Sequence, residues 1–301
     1  MSYTKKQHYI SRYIIKKFLN DKGKVDAVLI DSIKRIVRDS KDICVEKDFY
    51  EDKSRDGGYI DRNRTENKFA DMESELANKI EDLFEILNDE NCNDRLRLMY
   101  NTEEWEYLSV YLMLHLTLVM IRTPKYKEII FNKDELPLEV KQVFYKEFLF
   151  GEQEAKILAS KQFQGKDLDV ISKVIENNTD FNGGINVLMN YLVNNYYIEV
   201  YKAPVKKKFF LSDNPIIVNQ IEGIDYFMPL SSNFAIAMKK ILWTKQVNIS
   251  ILPTASEKMV DGVNKMIIDN STRVIIVENM TREEFEFIRD NIENKLCTTK
   301  E

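Results

Sequence analysis

The sequence predicts an α+β protein: a predominantly helical N-terminal two-thirds packed against a mainly antiparallel sheet in the C-terminal third. Two observations carry this. Gly and Pro are scarce, 9 and 6 among 301 residues, which argues against a linker-rich or turn-dense all-β chain. Helical periodicity dominates as far as Asn195, and short β-rich runs follow it. The length fits a single large domain, residues 1–301, with a helical part over about 1–195 and a sheet-containing part over about 196–301. No Gly/Ser-rich or Pro-rich linker divides it.

The elements follow in order. Tyr9–Leu19 reads as a short helix with Tyr13, Ile14 and Phe18 on one side. Lys24–Ile30 and Cys44–Phe49 read as strands, and Asp52–Arg64, polar and containing Gly57-Gly58, as a mobile loop. Glu66–Leu87 is the clearest helix, because Phe69, Met72, Leu76, Ile80, Leu83 and Leu87 recur every three or four residues. Asn101, with Glu104 three positions on, predicts a capping box for a helix over Glu103–Arg122. That helix should stop at Thr123-Pro124, since the residue before proline disfavours the α region. Pro137 suits the first position of a helix over Leu138–Phe148. Helices follow near Glu152–Gln162, Asp167–Ile175 and Ile185–Asn194. Strands are predicted at Tyr196–Tyr201, Lys208–Leu211, Ile216–Val218, Tyr226–Met228, Phe234–Met238, Val247–Ile251 and Arg273–Val277. A helix after Thr254 would use Glu257 as capping partner. Thr281 and Glu284 open a final helix to about Asn294.

Composition removes several functional classes. Cys44, Cys92 and Cys297 are scattered, odd in number and without CxxC spacing. This excludes a zinc ribbon or thioredoxin-like site, speaks against a secreted disulfide scaffold and fits a reducing cytoplasm. His8 and His115 are the only histidines, so neither HExxH nor a paired-histidine nuclease centre can be assembled. Mg²⁺ held by carboxylates is the metal the composition leaves open. There is no zinc, haem or nucleotide-cofactor signature: GxGxxG, Walker A, GxSxG and kinase motifs are missing. Tyr107–Ile121 is an apolar, uncharged stretch of fifteen residues, short of the about 20 that span a membrane. It reads as a buried core helix. Met1–Lys17 is basic and lacks the cleavage pattern of a signal peptide. The net charge of −5 disfavours wholesale non-specific nucleic-acid binding. Local basic clusters at Lys202 with Lys206–Lys208, and at Lys34, Arg35, Arg38 and Lys41, are either solvated faces or a groove for phosphates.

Four places offer polar chemistry, each beside a plainer reading. His8 and Arg12, four apart, would share a face if one helix held both. They are then an acid/base with an anion holder, or a surface pair. Glu66 and Glu73, seven apart, are cleft carboxylates or part of a solvated acidic face. Arg122 ends an uncharged helix, where it either bonds the last carbonyls or delivers a guanidinium to a pocket. Ser212-Asp213-Asn214-Pro215 is a turn, or presents Asp213 at the rim of a cleft.

Taken together, these residues resemble the bacterial family catalogued as domain of unknown function 4238. Its members open with HYVPxxYLxxF and later carry RTP, SDNP and PLSP. Here the opening is His8-Tyr9-Ile10-Ser11-Arg12-Tyr13-Ile14-Ile15-Lys16-Lys17-Phe18. Glu66-Asn67, Glu73, Arg122-Thr123-Pro124, Ser212-Asp213-Asn214-Pro215, Pro229-Leu230-Ser231 and Asn264 follow. The resemblance covers about residues 7–277. Ser11 replaces the first motif's proline and Ser232 the last proline of PLSP. The resemblance implies that these positions recur together and share a cleft. It brings no established reaction.

The leading expectation is a phosphodiesterase- or nuclease-like hydrolase of toxin or phage-defence type, cytoplasmic, with a nucleic acid or nucleotide as substrate. His8 would be the general acid/base, and Arg12 and Arg122 would stabilise developing negative charge. Glu66, Glu73 and Asp213 would orient His8 or hold Mg²⁺, while Ser212 and Asn214 would help Arg122 bind substrate. The alternative is a non-catalytic binding or interaction protein in which the same groups form a buried structural network.

Overall fold

The computed structural model describes residues 5–100, 102–132, 135–177, 184–242 and 250–298. The N-terminal part opens with β1 (Lys6–His8), α1 (Arg12–Ile15), β2 (Val25–Leu29), β3 (Lys34–Arg38), β4 (Val45–Lys47), β5 (Asp52–Lys53) and β6 (Tyr59–Ile60). Eight helices follow: α2 (Arg64–Leu87), α3 (Cys92–Met99), α4 (Glu103–Arg122), α5 (Pro124–Phe131), α6 (Leu138–Phe150), α7 (Glu152–Gln162), α8 (Gly165–Asn177) and α9 (Gly184–Asn195). The C-terminal part holds β7 (Tyr196–Lys202), β8 (Leu211–Ser212), β9 (Ile217–Ile221), β10 (Ile224–Pro229), β11 (Phe234–Lys240), α10 (Glu257–Asn270), β12 (Val274–Ile276) and α11 (Arg282–Thr298). The fold is α+β, with helices mostly in the first two-thirds.

Two four-stranded antiparallel sheets organise the molecule. One runs β7-β11-β10-β9, all from the C-terminal part. The other runs β3-β2-β12-β8 and joins the two ends of the chain: Val28 lies opposite Ile275, and Ser212 lies opposite Ile275 on the other side. The central strands of both sheets are buried on two faces. Ile198, Val200, Ile236 and Met238 point into the main core with α2 and α4. Ala235, Ala237 and Phe227 point the other way, into a second core with α10 and α11. This is why these strands read as apolar runs rather than alternating ones. A third cluster lies among α6, α7 and α8. Among the described residues no helix is long and apolar enough to cross a membrane.

Several local expectations are corrected. His8 is the last residue of β1, and the first helix starts only at Arg12. The two therefore do not share a helical face. Asp52–Arg64 contains the β5–β6 hairpin rather than an unstructured loop, with Asp52 opposite Ile60. Lys34–Arg38, read only as a basic cluster, is a strand. The predicted strand at Lys208–Leu211 narrows to Leu211–Ser212, because β12 offers only a short partner. α3 and α5 were not anticipated. The α4 cap is Thr102, whose hydroxyl accepts from the Trp105 N–H at 3.4 Å; Asn101 lies outside the described residues. Ser256, not Thr254, caps α10. Pro137 precedes the first helical residue of α6. The predicted strand at Val247–Ile251 falls largely outside the described residues, and 250–251 are not strand. The Thr281–Glu284 box forms in both directions: Thr281 N–H donates to Glu284 Oε2 at 2.7 Å, and Glu284 N–H to Thr281 Oγ1 at 3.1 Å.

Candidate functional site

The site is built around the last residue of α4. Leu108, Leu112, His115 and Val119 bury one face of that helix, and Arg122 continues it at helical spacing. The guanidinium is therefore carried inward, only 2% exposed. Its charge is met from every side. Nε donates to the Tyr50 hydroxyl at 3.0 Å, Nη2 to the His8 carbonyl oxygen at 2.6 Å and Nη1 to Ser11 Oγ at 3.4 Å. Glu73 forms an ion pair with Nη1, and Ser11 Oγ donates to the same carboxylate. The Phe69 ring lies under the guanidinium, 4.5 Å from ring centre to carbon. Arg122 thus ties β1, α1, α2 and Tyr50 together. It does not turn back to the carbonyls of its own helix.

The other groups of this neighbourhood are shifted by burial. The His8 imidazole is brought down to about 4, first by burial. The Ser40 carbonyl bond and Asp42 push back, while Arg12 and Arg122 add to the lowering. A carbonyl oxygen only accepts, so the 3.3 Å contact with Ser40 requires the proton on Nε2. Nδ1 then carries the free lone pair of a ring that is neutral near pH 7. Burial also pushes the Glu66 carboxyl up; Arg122 opposes this and Glu51 adds to it. Glu66 Oε2 is buried without a hydrogen-bond partner among the described residues. Burial pushes the Tyr50 hydroxyl up to about 12 against the pull of Arg122. Among the described residues no group of three or more His, Cys, Asp and Glu side chains could hold a metal ion.

A second polar network lies at the C-terminal sheet. Asp213 is 1% exposed. Its carboxylate accepts from the N–H groups of Thr272, Arg273 and Val274 at 3.1–3.3 Å and from Thr272 Oγ1 at 2.7 Å. It holds the turn that leads from α10 into β12. Ser212, fully buried, accepts from the Asn214 N–H at 3.1 Å. Asn214 Nδ2 donates to the Asn270 carbonyl at the end of α10, at 3.1 Å. Asn264 accepts from the Phe210 N–H and donates to the Lys208 carbonyl, clamping the strand approach to α10. Ser231 accepts from the N–H groups of Asn233 and Phe234 in the β10–β11 turn.

The opening motif joins the two networks. The His8 carbonyl serves Arg122, while the next ring, Tyr9, packs on Phe49 and lies under the Arg273 guanidinium. Asp213 is close enough to add to the burial that raises the Tyr9 hydroxyl. His8, Glu66, Glu73 and Arg122 therefore come together; Asp213, Ser212 and Asn214 form a neighbouring group. Arg12 is exposed at the start of α1 and reaches His8 only through its field. Asn214 and Thr123 both line a hollow of about 250 Å³ between α5 and β9, with Tyr126 and Asn270.

The two departures from the family pattern now have an account. Ser11 has φ −60° and ψ 133°, a conformation proline also takes. Its hydroxyl adds bonds to Glu73 and Arg122 that proline lacks. Ser232 donates to Glu278. Sequence reasoning missed Tyr50, Gln7 and Glu51. Gln7, fully buried, accepts from the Tyr50 N–H at 2.7 Å and donates to Glu51. Nothing near them in the chain marks them. It also missed Lys127, whose Nζ donates to the Phe49 carbonyl and lies over the Phe49 and Phe131 rings. Burial brings that amine down to about 8, whereas the rings favour its cation. His115, within the stretch read as a buried core helix, is fully buried, with Nδ1 2.6 Å from the Tyr13 hydroxyl.

Fold and site together define an α+β protein whose N-terminal segment is held to its helices by a buried, arginine-centred polar network. The chain belongs to the family described as Protein of unknown function (DUF4238), whose model matches residues 6–281. Neither the curated proteins nor the solved structures include a match.

Proposed function

We propose that this chain is a non-catalytic binding or interaction protein, and that the polar residues shared with its family are its internal framework. One observation carries the reading: Arg122 and Asp213 are almost fully buried, and their polar atoms are engaged by protein groups. A guanidinium held by Tyr50, Ser11, Glu73 and a carbonyl has little left to offer a substrate. A carboxylate accepting three backbone N–H groups and a hydroxyl is a turn clamp. The basic cluster near Lys206 supports the same view, since Lys207 pairs with Asp261, and Lys208 with Glu284 and two carbonyls. Free thiols at Cys44, Cys92 and Cys297 suit a reducing compartment such as the cytoplasm. The test is Asp213→Ala. The framework reading expects a loss of about 3 kcal/mol in urea unfolding. A change under about 0.5 kcal/mol would count against it.

A second reading keeps the hydrolase. It is favoured by Glu66, whose raised carboxyl and unpartnered buried oxygen lie in the field of Arg122, which also acts on a neutral His8. Perturbed groups of this kind gather at reactive sites. The substrates would be phosphodiesters, including nucleic acid or nucleotides, in a bacterial toxin or defence setting. Single-stranded RNA, single-stranded DNA and bis-p-nitrophenyl phosphate should be tried with and without Mg²⁺. Turnover that vanishes in folded His8→Ala and Glu66→Gln would establish this reading; no turnover on any of the three leaves the framework reading.

A further inference from the structure

Away from the motif residues, one surface is apolar without a partner in the fold. α9 carries no charged residue along Gly184–Asn195. Of its side chains only Ile185 and Leu192 are fully buried. Tyr191 and Val193 are 45% and 41% exposed. Tyr107, 60% exposed, and Val110, 39%, lie on the first half of α4. With Val193 they line a cavity of about 620 Å³ between α4 and the start of β7, floored by Trp105, Met113, Tyr196 and Ile198. It shares Glu103 and Tyr107 with an adjoining hollow of about 300 Å³ that reaches Ile86 and Asp82. The two make one elongated apolar groove. Exposed apolar surface that is contiguous and polar-rimmed marks an interaction site.

The rim is net acidic, since Lys79 in the adjoining hollow is paired with Asp82. Glu103, Glu104 and Glu106 are exposed along the groove, and none has an ion pair among the described residues. Their place in the first turn of α4 suits the helix dipole, which explains acid there but not the exposed Tyr107 and Val110 beside it. A symmetric dimer through this face would set these carboxylates against their own copies, since an isologous interface pairs a patch with itself.

We propose that this groove binds an amphipathic helix of a partner protein, its apolar stripe seated over Tyr107, Val110 and Val193 and its Lys or Arg side chains on the Glu103–Glu106 rim. Helix-in-groove recognition takes apolar anchors at i, i+3, i+4 and i+7, and opposite charge at the rim sets register and speeds encounter. The proposal rests on the interaction-protein reading. The two fail separately, because the groove is tested by binding and the framework by unfolding.

The probe is a fluorescein-labelled peptide of about 18 residues, leucines at helical spacing and lysines elsewhere. Fluorescence anisotropy on the full chain is run against a scrambled peptide of the same composition and one with glutamate for lysine. The ordered Leu/Lys peptide is expected to bind, with both controls weaker by at least about tenfold. Tyr107→Asp and Val193→Asp should each lose about tenfold with an unchanged circular dichroism spectrum. Glu106→Lys, at an exposed position, should weaken the ordered peptide and strengthen the glutamate peptide, with an unchanged circular dichroism spectrum. Equal binding of the scrambled peptide, no binding of the ordered one, or full binding by Tyr107→Asp and Glu106→Lys overturns the proposal. A wild-type dimer in light scattering that Tyr107→Asp converts to monomer also overturns it, since a second copy would then be the occupant.

Discussion

Replacing Arg122 with alanine tests the centre of the structure. The change removes a buried cation from a carboxylate, a hydroxyl pair and a carbonyl. Breaking a buried ion pair from one side costs about 3–5 kcal/mol. The Glu73 side chain is 21% exposed, so water relieves part of its loss and the lower end, about 3 kcal/mol, applies. Tyr50 and the His8 carbonyl keep a bond to each other at 3.2 Å. Their lost bonds to Arg122 add only about 1 kcal/mol together. The expected total is about 4 kcal/mol, or a fall of about 8 °C in Tm for a chain of this size. Arg122→Met keeps hydrocarbon over Phe69 and should cost about the same 4 kcal/mol, since both losses are polar. Urea unfolding followed by circular dichroism measures both. A double-mutant cycle with Glu73→Gln should give a coupling above about 1 kcal/mol. If Arg122→Ala costs less than about 1 kcal/mol, the guanidinium does not hold the framework together and the argument for a structural network fails.

Other outcomes follow from the same geometry. Tyr13→Phe leaves buried His115 without its hydroxyl partner and should cost about 1–3 kcal/mol in the same unfolding assay. Acid should weaken the fold through both histidines. Burial lowers His8 to about 4 and His115 to about 3, from an ordinary value of 6.5. Between 6.5 and those values the unfolded chain binds protons that the folded chain refuses, so stability falls as pH drops through that window. Unfolding curves of His8→Gln between pH 7 and about pH 4 should therefore be flatter than wild type; an unchanged slope would refute a neutral, buried His8. Under native conditions N-ethylmaleimide should modify Cys297, which is exposed, while Cys44 and Cys92 react only after unfolding; peptide mass spectrometry distinguishes the three.

Features written within a turn or two of chain could be read from the residues alone. The limits of α4 were legible as Glu103–Arg122 because an acidic first turn, an uncharged run and Thr123-Pro124 all act locally. The α11 capping box was legible for the same reason, and so was the α+β order of helices and strands. The family motifs could be found in the chain, but not what their side chains touch. Arg122 meets Tyr50, Ser11 and the His8 carbonyl across 72, 111 and 114 residues. Asp213 clamps a turn 59 to 61 residues away. β2 finds β12 from the opposite end of the chain. Local spacing places a polar group on a face; only the packing of distant apolar surfaces decides which groups face it there. Here that packing surrounds Arg122 and Asp213 with protein partners. It leaves the apolar surface around Tyr107, Val110 and Val193 open to solvent.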